Sequence, residues 1–383
     1  MNVRTMTSCL LVVMLAAVCQ VRGTTHMAPK FTLDLSKPPQ DRWVGAVGTI
    51  LSRHPWEESF GPTFQAHNAS LFSKMTSDEF SALGAAVNKY FPEQAKELFG
   101  LSSEFQKFGH SVSYEYLSAW VYFHELAHTP LVSTEERVRM KSCAAILARS
   151  PVDASVWHAR NMDMSPWSIR NITLHITVVQ GGEVLLEAVD WYWITTGFMT
   201  AMKQGVAAVQ ENWRFKTVTV NDVFRDVARG VLPQVFLFRK TLFDRNTKSF
   251  ADVLSACSST PLIAPMYVAL SAKDMGKVLI RSQNGTDEVV TLGEQSGSPK
   301  NGLLWTNYDS CDSEPTSDVR CKPAQALMIE MSGRLSGSSL GVGMVASAFP
   351  VHNPTTAYTA VMNAATGDFH AFVRDPLKPL PIP

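Results

Sequence analysis

Two groups of residues in this chain have types and spacings that could do chemistry. The first is Cys143 with Arg160 and Asp163. Cys143 opens an alternating apolar run, Ser150, Pro151 and Asp153 mark a turn, and Ser155 to Arg160 runs back. A hairpin folded near residues 151 and 152 places Arg160 opposite Cys143, with Asp163 just beyond. A thiol, a guanidinium and a carboxylate then meet with no long-range assumption. If the Ser142–Cys143 bond is cut, Cys143 gains a free α-amine, which titrates at about 8 in model peptides and can take the proton of its own thiol. Asp163 can hold and polarise that amine, and Arg160 can stabilise thiolate or oxyanion charge. A lone cysteine is also often packed as a small apolar residue, and composition and hairpin geometry alone leave both readings open.

The second group is His124-Glu125-Leu126-Ala127-His128, which matches H-E-x-x-H. On a helix this spacing puts two histidines one turn apart with Glu125 placed to activate a zinc-bound water, the chemistry of a zinc metallopeptidase. A catalytic zinc needs a third protein ligand. The extended motif wants glycine and histidine where the chain has Leu131 and Thr134, and Glu135 and Glu136 follow Pro130 too closely to come from a second packed helix. The alternative is an amphipathic helix ending at Pro130, with its histidines near a C-terminus that favours them. On balance no metal ligand and no cofactor is expected.

The elements that must position these residues follow from pattern. With 383 residues, the chain is long enough for one large domain or two ordinary ones. Apolar residues make up 45% and charged residues 18%, which suits a globular core. The formal net charge is zero and no basic tract appears, so nucleic acid is not an expected partner. Residues 1–23 read as a signal peptide: Arg4, then the apolar Leu10 to Val18, then Val21 and Gly23 before a cleavage site. Asn68, Asn171 and Asn284 each open a glycosylation triplet, which agrees with the secretory pathway. Four cysteines then remain. Cys311 and Cys321 sit in a polar loop, close enough for a local disulfide, and Cys257 reads as a buried small residue.

Up to about residue 142 the chain looks mainly helical, with helices at Ser77 to Phe91 and Ser113 to His128 and a first strand near residues 31–35. From Cys143 onward short strands dominate. Gly181-Gly182 and Asn284-Gly285 are hairpin turns. Helices are expected at Val218 to Arg229, Phe250 to Cys257 and Pro323 to Leu335, and a closing hairpin at Ala357 to Arg374. Helices grouped between runs of strands point to an α+β layer fold.

Cys143 followed by His158-Ala-Arg160-Asn161-Met162-Asp163 resembles the Cys…His-Gly-Arg-Asn-Met-Asp signature of the acid ceramidase and N-acylethanolamine acid amidase family. Leu33-Asp34-Leu35, Pro38-Pro39 and Arg42-Trp43 resemble the family's first strand and turn. Thr260 to Ala264 resembles its entry to a central strand, Thr306-Asn307-Tyr308-Asp309 its Thr-Asn-Tyr-Asp, and Tyr358 to Arg374 its closing hairpin. Arg320 stands where the family has an arginine at the same distance from the asparagine.

The resemblance implies a four-layer αββα N-terminal-nucleophile hydrolase fold with a helical N-terminal α subunit, residues 24–142, and a β subunit, residues 143–383. It implies autoproteolysis between Ser142 and Cys143, giving an α/β heterodimer from one precursor. Cys143 then attacks the amide of an N-acyl lipid, a ceramide or an N-acylethanolamine, in lysosomal or extracellular space and with transient contact to a membrane or micelle surface. Arg160 and Asp163 support the nucleophile, Asn307 helps form the oxyanion hole, and Arg320 borders the substrate entrance or braces the site.

Two departures stand out. The family's Cys-Thr-Ser is Cys143-Ala144-Ala145 here, and its Asn-Glu-Arg-Phe is Asn212-Trp213-Arg214-Phe215. The glutamate used in maturation is thus Trp213. Glu211 shares a strand face with it and is expected to take over the essential polar role, which is not assigned to His124 or His128; Asn212 is a further supporting residue. The competing readings are a solvated Glu211 and, for the whole chain, a non-catalytic lipid-binding relative.

Overall fold

Gly181 and Gly182 take φ values of +63° and +86°, the left-handed pair a two-residue hairpin requires. They join Leu174–Gln180 to Glu183–Asp190. Around such hairpins the chain builds two sheets. The computed structural model describes residues 25–133, 136–137, 141–316, 318–331 and 339–374. The expected signal peptide lies outside them.

The first sheet has six strands in the order Thr25–Met27, Asp368–Arg374, Thr356–Asn363, Val156–Met164, Lys141–Arg149, Gly302–Trp305. The second has eight: Thr286–Thr291, Gly276–Arg281, Met266–Ser271, Ala207–Trp213, Thr200–Lys203, Glu183–Asp190, Leu174–Gln180, Lys30–Asp34. Only the last pairing is parallel. The strand that carries Cys143 shows how the layers form. Ala144, Ile146 and Ala148 face outward onto Met328 and Val345 of the helices Cys321–Met331 and Ser339–Ser347. Ala145 and Leu147 face inward, onto Tyr267 and Ala269 of the second sheet. Helices Gln234–Phe243 and Phe250–Ser259 lie against the second sheet's strands from its other side. The order is helix, sheet, sheet, helix: the expected α+β, αββα architecture.

The segment before Cys143 is mainly helical but adds a strand to each sheet. Thr25–Met27 pairs with Asp368–Arg374 and so precedes the strand expected as the first, which is Lys30–Asp34. The helix expected over Ser113 to His128 divides into Tyr114–Val121 and Phe123–Ala127, with Tyr122 at φ −101° and ψ 10°. Thr76 and Glu79 cap Ser77–Tyr90 reciprocally.

A buried charge cluster ties this segment to the rest. Glu97 is fully buried and accepts from Arg42 at 2.9 Å, from the Trp43 indole at 2.8 Å and from both terminal nitrogens of Arg239 at 2.6 Å. Arg239 also donates to the Thr196 carbonyl at 2.7 Å. Cys311 and Cys321 form the expected disulfide, and Cys143 and Cys257 are buried free thiols. Asn68 and Asn284 are exposed, whereas the Asn171 amide is engaged with the Glu58 carbonyl at 2.7 Å.

Candidate active site

Cys143 lies within a strand and does not open it. Lys141–Arg149 runs antiparallel to Val156–Met164 on both sides of the Ser142–Cys143 bond. The turn falls later than the sequence suggests, because Asp153 Oδ1 accepts from the backbone and hydroxyl of Ser155. Met162 is therefore opposite Cys143, and Arg160 is opposite Ala145. Arg160 nevertheless reaches the sulfur, with Nη2 at 3.6 Å from Sγ. Met162 Sδ is 3.7 Å from the same atom. Arg160 is held in place by the Met199 carbonyl and by Thr200 Oγ1 at 2.6 Å.

The backbone of Cys143 is gripped as closely as its side chain. Its N–H donates to Asn307 Oδ1 at 2.6 Å, and its carbonyl accepts from Arg320 Nη1 at 2.8 Å. Arg320 Nη2 also donates to Asn307 Oδ1 at 2.9 Å, so one guanidinium braces both contacts. Asp318 holds Arg320 from behind through two bonds of 2.6 Å. Asn307 Nδ2 donates to the Trp213 carbonyl, and Asn212 Nδ2 to the carbonyls of Trp305 and Thr306, so both amides join the two sheets at this point. Asp163 accepts from the Thr356 hydroxyl, from Asn353 at 2.8 Å and from Arg320 at 3.4 Å.

Burial sets the electrostatics. It pushes the Cys143 thiol up to about 11; Arg160 pulls it down, while Glu211 and Asp163 push it up. Burial likewise holds the Asp163 carboxyl up at about 6 against the pull of Arg320. In the uncut chain the sulfur is therefore protonated, and attack requires a base.

Glu211 is buried, which overturns the reading of it as a solvated charge. Oε1 lies 3.0 Å from His124 Nε2, and Oε2 lies 3.9 Å from Arg160 Nη2. His124, which is not expected from the sequence to carry an essential role, stands beside it. It is buried, and with Glu211, Trp213, Met162 and Tyr192 it lines a cavity of about 10 Å³ at Cys143. That is room for about one water molecule. His128 stacks on Trp213, ring centroids 3.5 Å apart, and bonds to the Lys216 carbonyl through Nδ1. Glu125 accepts from the Gln234 backbone N–H at 2.6 Å. The zinc reading needs that carboxylate aimed at a metal-bound water. Among the described residues no group of three or more His, Cys, Asp or Glu side chains is arranged to hold a metal.

Several residues of the site carry no motif. Asp318, Asn353 and Thr356 are recognisable only once the fold brings them to Arg320 and Asp163. His158, quoted for the signature, bonds to Gln210 at 2.8 Å and Ser271 at 3.1 Å, which leaves it a neutral link between the sheets with its pKa lowered to about 3 by burial.

No family model matches the chain. Among curated proteins it is 29% identical over 243 residues to N-acylethanolamine-hydrolyzing acid amidase of Rattus norvegicus, covering 61% of this chain and 64% of the relative. It is 24% identical over 256 residues to acid ceramidase of Balaenoptera acutorostrata scammoni, covering 61% and 62%. The chain is thus similar to both the N-acylethanolamine-hydrolyzing acid amidases and the acid ceramidases. The matches span just under two thirds of these relatives' own length. A solved structure of a Caenorhabditis elegans N-acylethanolamine-hydrolyzing acid amidase ortholog superposes with a TM-score of 0.49 at 23% identity, over 58% of this chain and 93% of that one. Trp213, the departure noted in the sequence, packs against both His124 and His128.

Proposed function

We propose that this chain is an N-terminal-nucleophile amidase of the secretory pathway, lysosomal or extracellular, that cuts itself between Ser142 and Cys143 and then hydrolyses the amide of an N-acyl lipid. The observation that carries this reading is the grip on Cys143: Asn307 on its N–H, Arg320 on its carbonyl, Arg160 on its sulfur. A packed structural cysteine has no use for three polar side chains committed to one residue.

In self-cleavage Sγ bonds to the Ser142 carbonyl carbon and the C–N bond to Cys143 breaks. The nitrogen takes up the proton lost by sulfur, leaving a thioester. Water then hydrolyses the thioester, freeing a Ser142 carboxylate and the thiol. Cys143 now begins a chain, and its α-amine, accepted by Asn307 Oδ1, can act as its own base. The sulfur attacks the lipid amide, the amine product leaves with the shuttled proton, and water releases the fatty acid. Arg160 stabilises the thiolate, and the guanidinium of Arg320 keeps the Asn307 oxygen turned toward the new amine. Ceramides and N-acylethanolamines both present this amide beside a long apolar chain.

The test has two parts. N-terminal sequencing of the C-terminal fragment should read Cys143-Ala144-Ala145, and Cys143→Ala should stay uncut. Purified protein should release fatty acid from a ceramide or an N-acylethanolamine at acidic pH. A fully active chain with no break at this bond would sink the mechanism.

A further inference from the structure

Self-cleavage poses a problem that the finished enzyme does not have. Before the cut, the Cys143 nitrogen is an amide and cannot accept a proton. The thiol is buried and protonated, so another group must take its hydrogen. The side chains around the cavity narrow the choice. Arg160 and Arg320 are guanidinium cations and Asn307 is neutral, so none is a base. Tyr192 is fully buried with its phenol held well above its ordinary range, so it stays neutral. Asp163 is engaged by Thr356, Asn353 and Arg320. Glu211 remains, with its partner His124.

The geometry is a buried relay. His124 Nε2 lies 3.0 Å from Glu211 Oε1, Glu211 Oε2 lies 3.9 Å from Arg160 Nη2, and that nitrogen lies 3.6 Å from Cys143 Sγ. The small cavity is lined by Glu211, His124 and Cys143 together and has space for about one water. The bland alternative is an ion pair that merely fastens the helix Phe123–Ala127. A carboxylate in that position raises the thiol's pKa, which is a cost to a nucleophile unless the carboxylate receives the proton.

Resting on the cysteine-amidase reading above, we propose that His124 is a positioning residue for maturation: its imidazole fixes Glu211, and Glu211 takes the Cys143 thiol proton through one water and returns it to the departing Cys143 nitrogen. One proton is shuttled and none is gained or lost. His124 lies before the cut and Glu211 after it, so the segment that precedes the cut supplies part of the machinery that makes it. Trp213, in the place of the family's glutamate, packs against both histidines, His124 at 4.2 Å and His128 at 3.5 Å between ring centroids. Trp213 and the His124–Glu211 pair thus form one arrangement.

The experiment follows cutting of the full chain by denaturing gel over time. The chains compared are the parent, His124→Phe, His124→Asn, Glu211→Gln, the His124→Phe/Glu211→Gln double variant, and Cys143→Ala. Glu211→Gln and His124→Phe should each slow cutting tenfold or more, the scale of a lost acid–base group. The double variant should be no slower than the slower single one, because His124 acts only through Glu211. Asparagine keeps a donor, so His124→Asn should recover part of the rate. Should His124→Phe fail to fold, judged by thermal melting beside Cys143→Ala, the comparison of His124→Asn with Glu211→Gln decides in its place. A parental rate in His124→Phe, or single-variant losses that multiply in the double variant, would overturn the role of His124 alone. A parent that never cuts would instead overturn the cysteine-amidase reading.

Discussion

If the bond before Cys143 is cut as proposed, replacing Arg239 tests how the two pieces stay together. Arg42, Trp43 and Glu97 lie before the cut and Arg239 after it, and Glu97 is completely buried. Two hydrogen bonds of 2.6 Å cross from Arg239 to this carboxylate. Arg239→Met keeps the aliphatic bulk and deletes both. Glu97 then keeps Arg42 and the Trp43 indole but loses its bidentate partner, and breaking a buried pair costs about 3–5 kcal/mol. With a urea slope on the order of 3 kcal/mol per molar, the unfolding midpoint should fall by roughly 1 M or more. The assay is urea denaturation of the uncut Cys143→Ala chain with and without Arg239→Met, repeated on cut protein by size exclusion, where the pieces should separate at lower urea. Adding Glu97→Gln removes the stranded charge along with its partner and should restore more than half of the loss. The reasoning fails if Arg239→Met lies within about 1 kcal/mol of the parent, or if Glu97→Gln doubles the damage.

Three further outcomes are expected. Cys311 and Cys321 are bonded to each other and the described segment before Cys143 holds no cysteine, so the two fragments should separate on non-reducing denaturing gels; a single band that splits only with reductant would refute this. Burial holds Asp163 and Asp190 up at about 6, from 3.8, against Arg320 and Arg160 respectively. Carboxyls raised in the fold stabilise it when protonated, fully so below 3.8, and this contribution is lost as pH rises through about 6. Unfolding free energy should therefore be greater at pH about 4 than at about 7, by up to roughly 3 kcal/mol per group and read as a higher melting temperature, and Asp163→Asn should flatten the profile; an unchanged slope would count against it. Gly230 has φ +71°, and a Cβ there would meet the Tyr90 ring at 2.5 Å, so Gly230→Ala should lower the melting temperature and Tyr90→Leu should relieve part of the loss.

The strands that could be read from sequence are those with one chemical face. Ala144 to Ala148 is an unbroken apolar run because one side meets helices and the other a second sheet, both dry. Gly181-Gly182 announces its hairpin because few other residues tolerate that backbone. Thr200–Lys203 carries no strand pattern in the sequence, and Ala207–Trp213 is recognisable only through the resemblance at Asn212 to Phe215. Both are almost wholly buried, and Gln210, Glu211 and Asn212 interrupt any apolar pattern with groups satisfied from distant elements. The helix Gln234–Phe243 is apolar around most of its circumference and shows no stripe. The site divides in the same way. Cys143, Arg160 and Asp163 share one hairpin and are legible as a group. His124 was visible only through a motif for different chemistry, because its partner lies 87 residues away and nothing local records the pairing.

The ladder that runs across the Ser142–Cys143 bond has a kinetic consequence for the proposed self-cleavage. Lys141 and Ser142 pair with Met164 and Asp163 in the same register as the residues beyond them, so hydrolysis removes a covalent bond while the ladder that holds both ends stays in place. Under the proposed mechanism the new Ser142 carboxylate is born beside the sulfur that made it, an internal product at the place where an acyl substrate would have to enter. That chain end must peel off Asp163 before turnover can begin. A freshly cut enzyme should start with a lag whose length reports the fraying of these two pairs and is independent of substrate concentration, so the molecule's first inhibitor is its own severed strand.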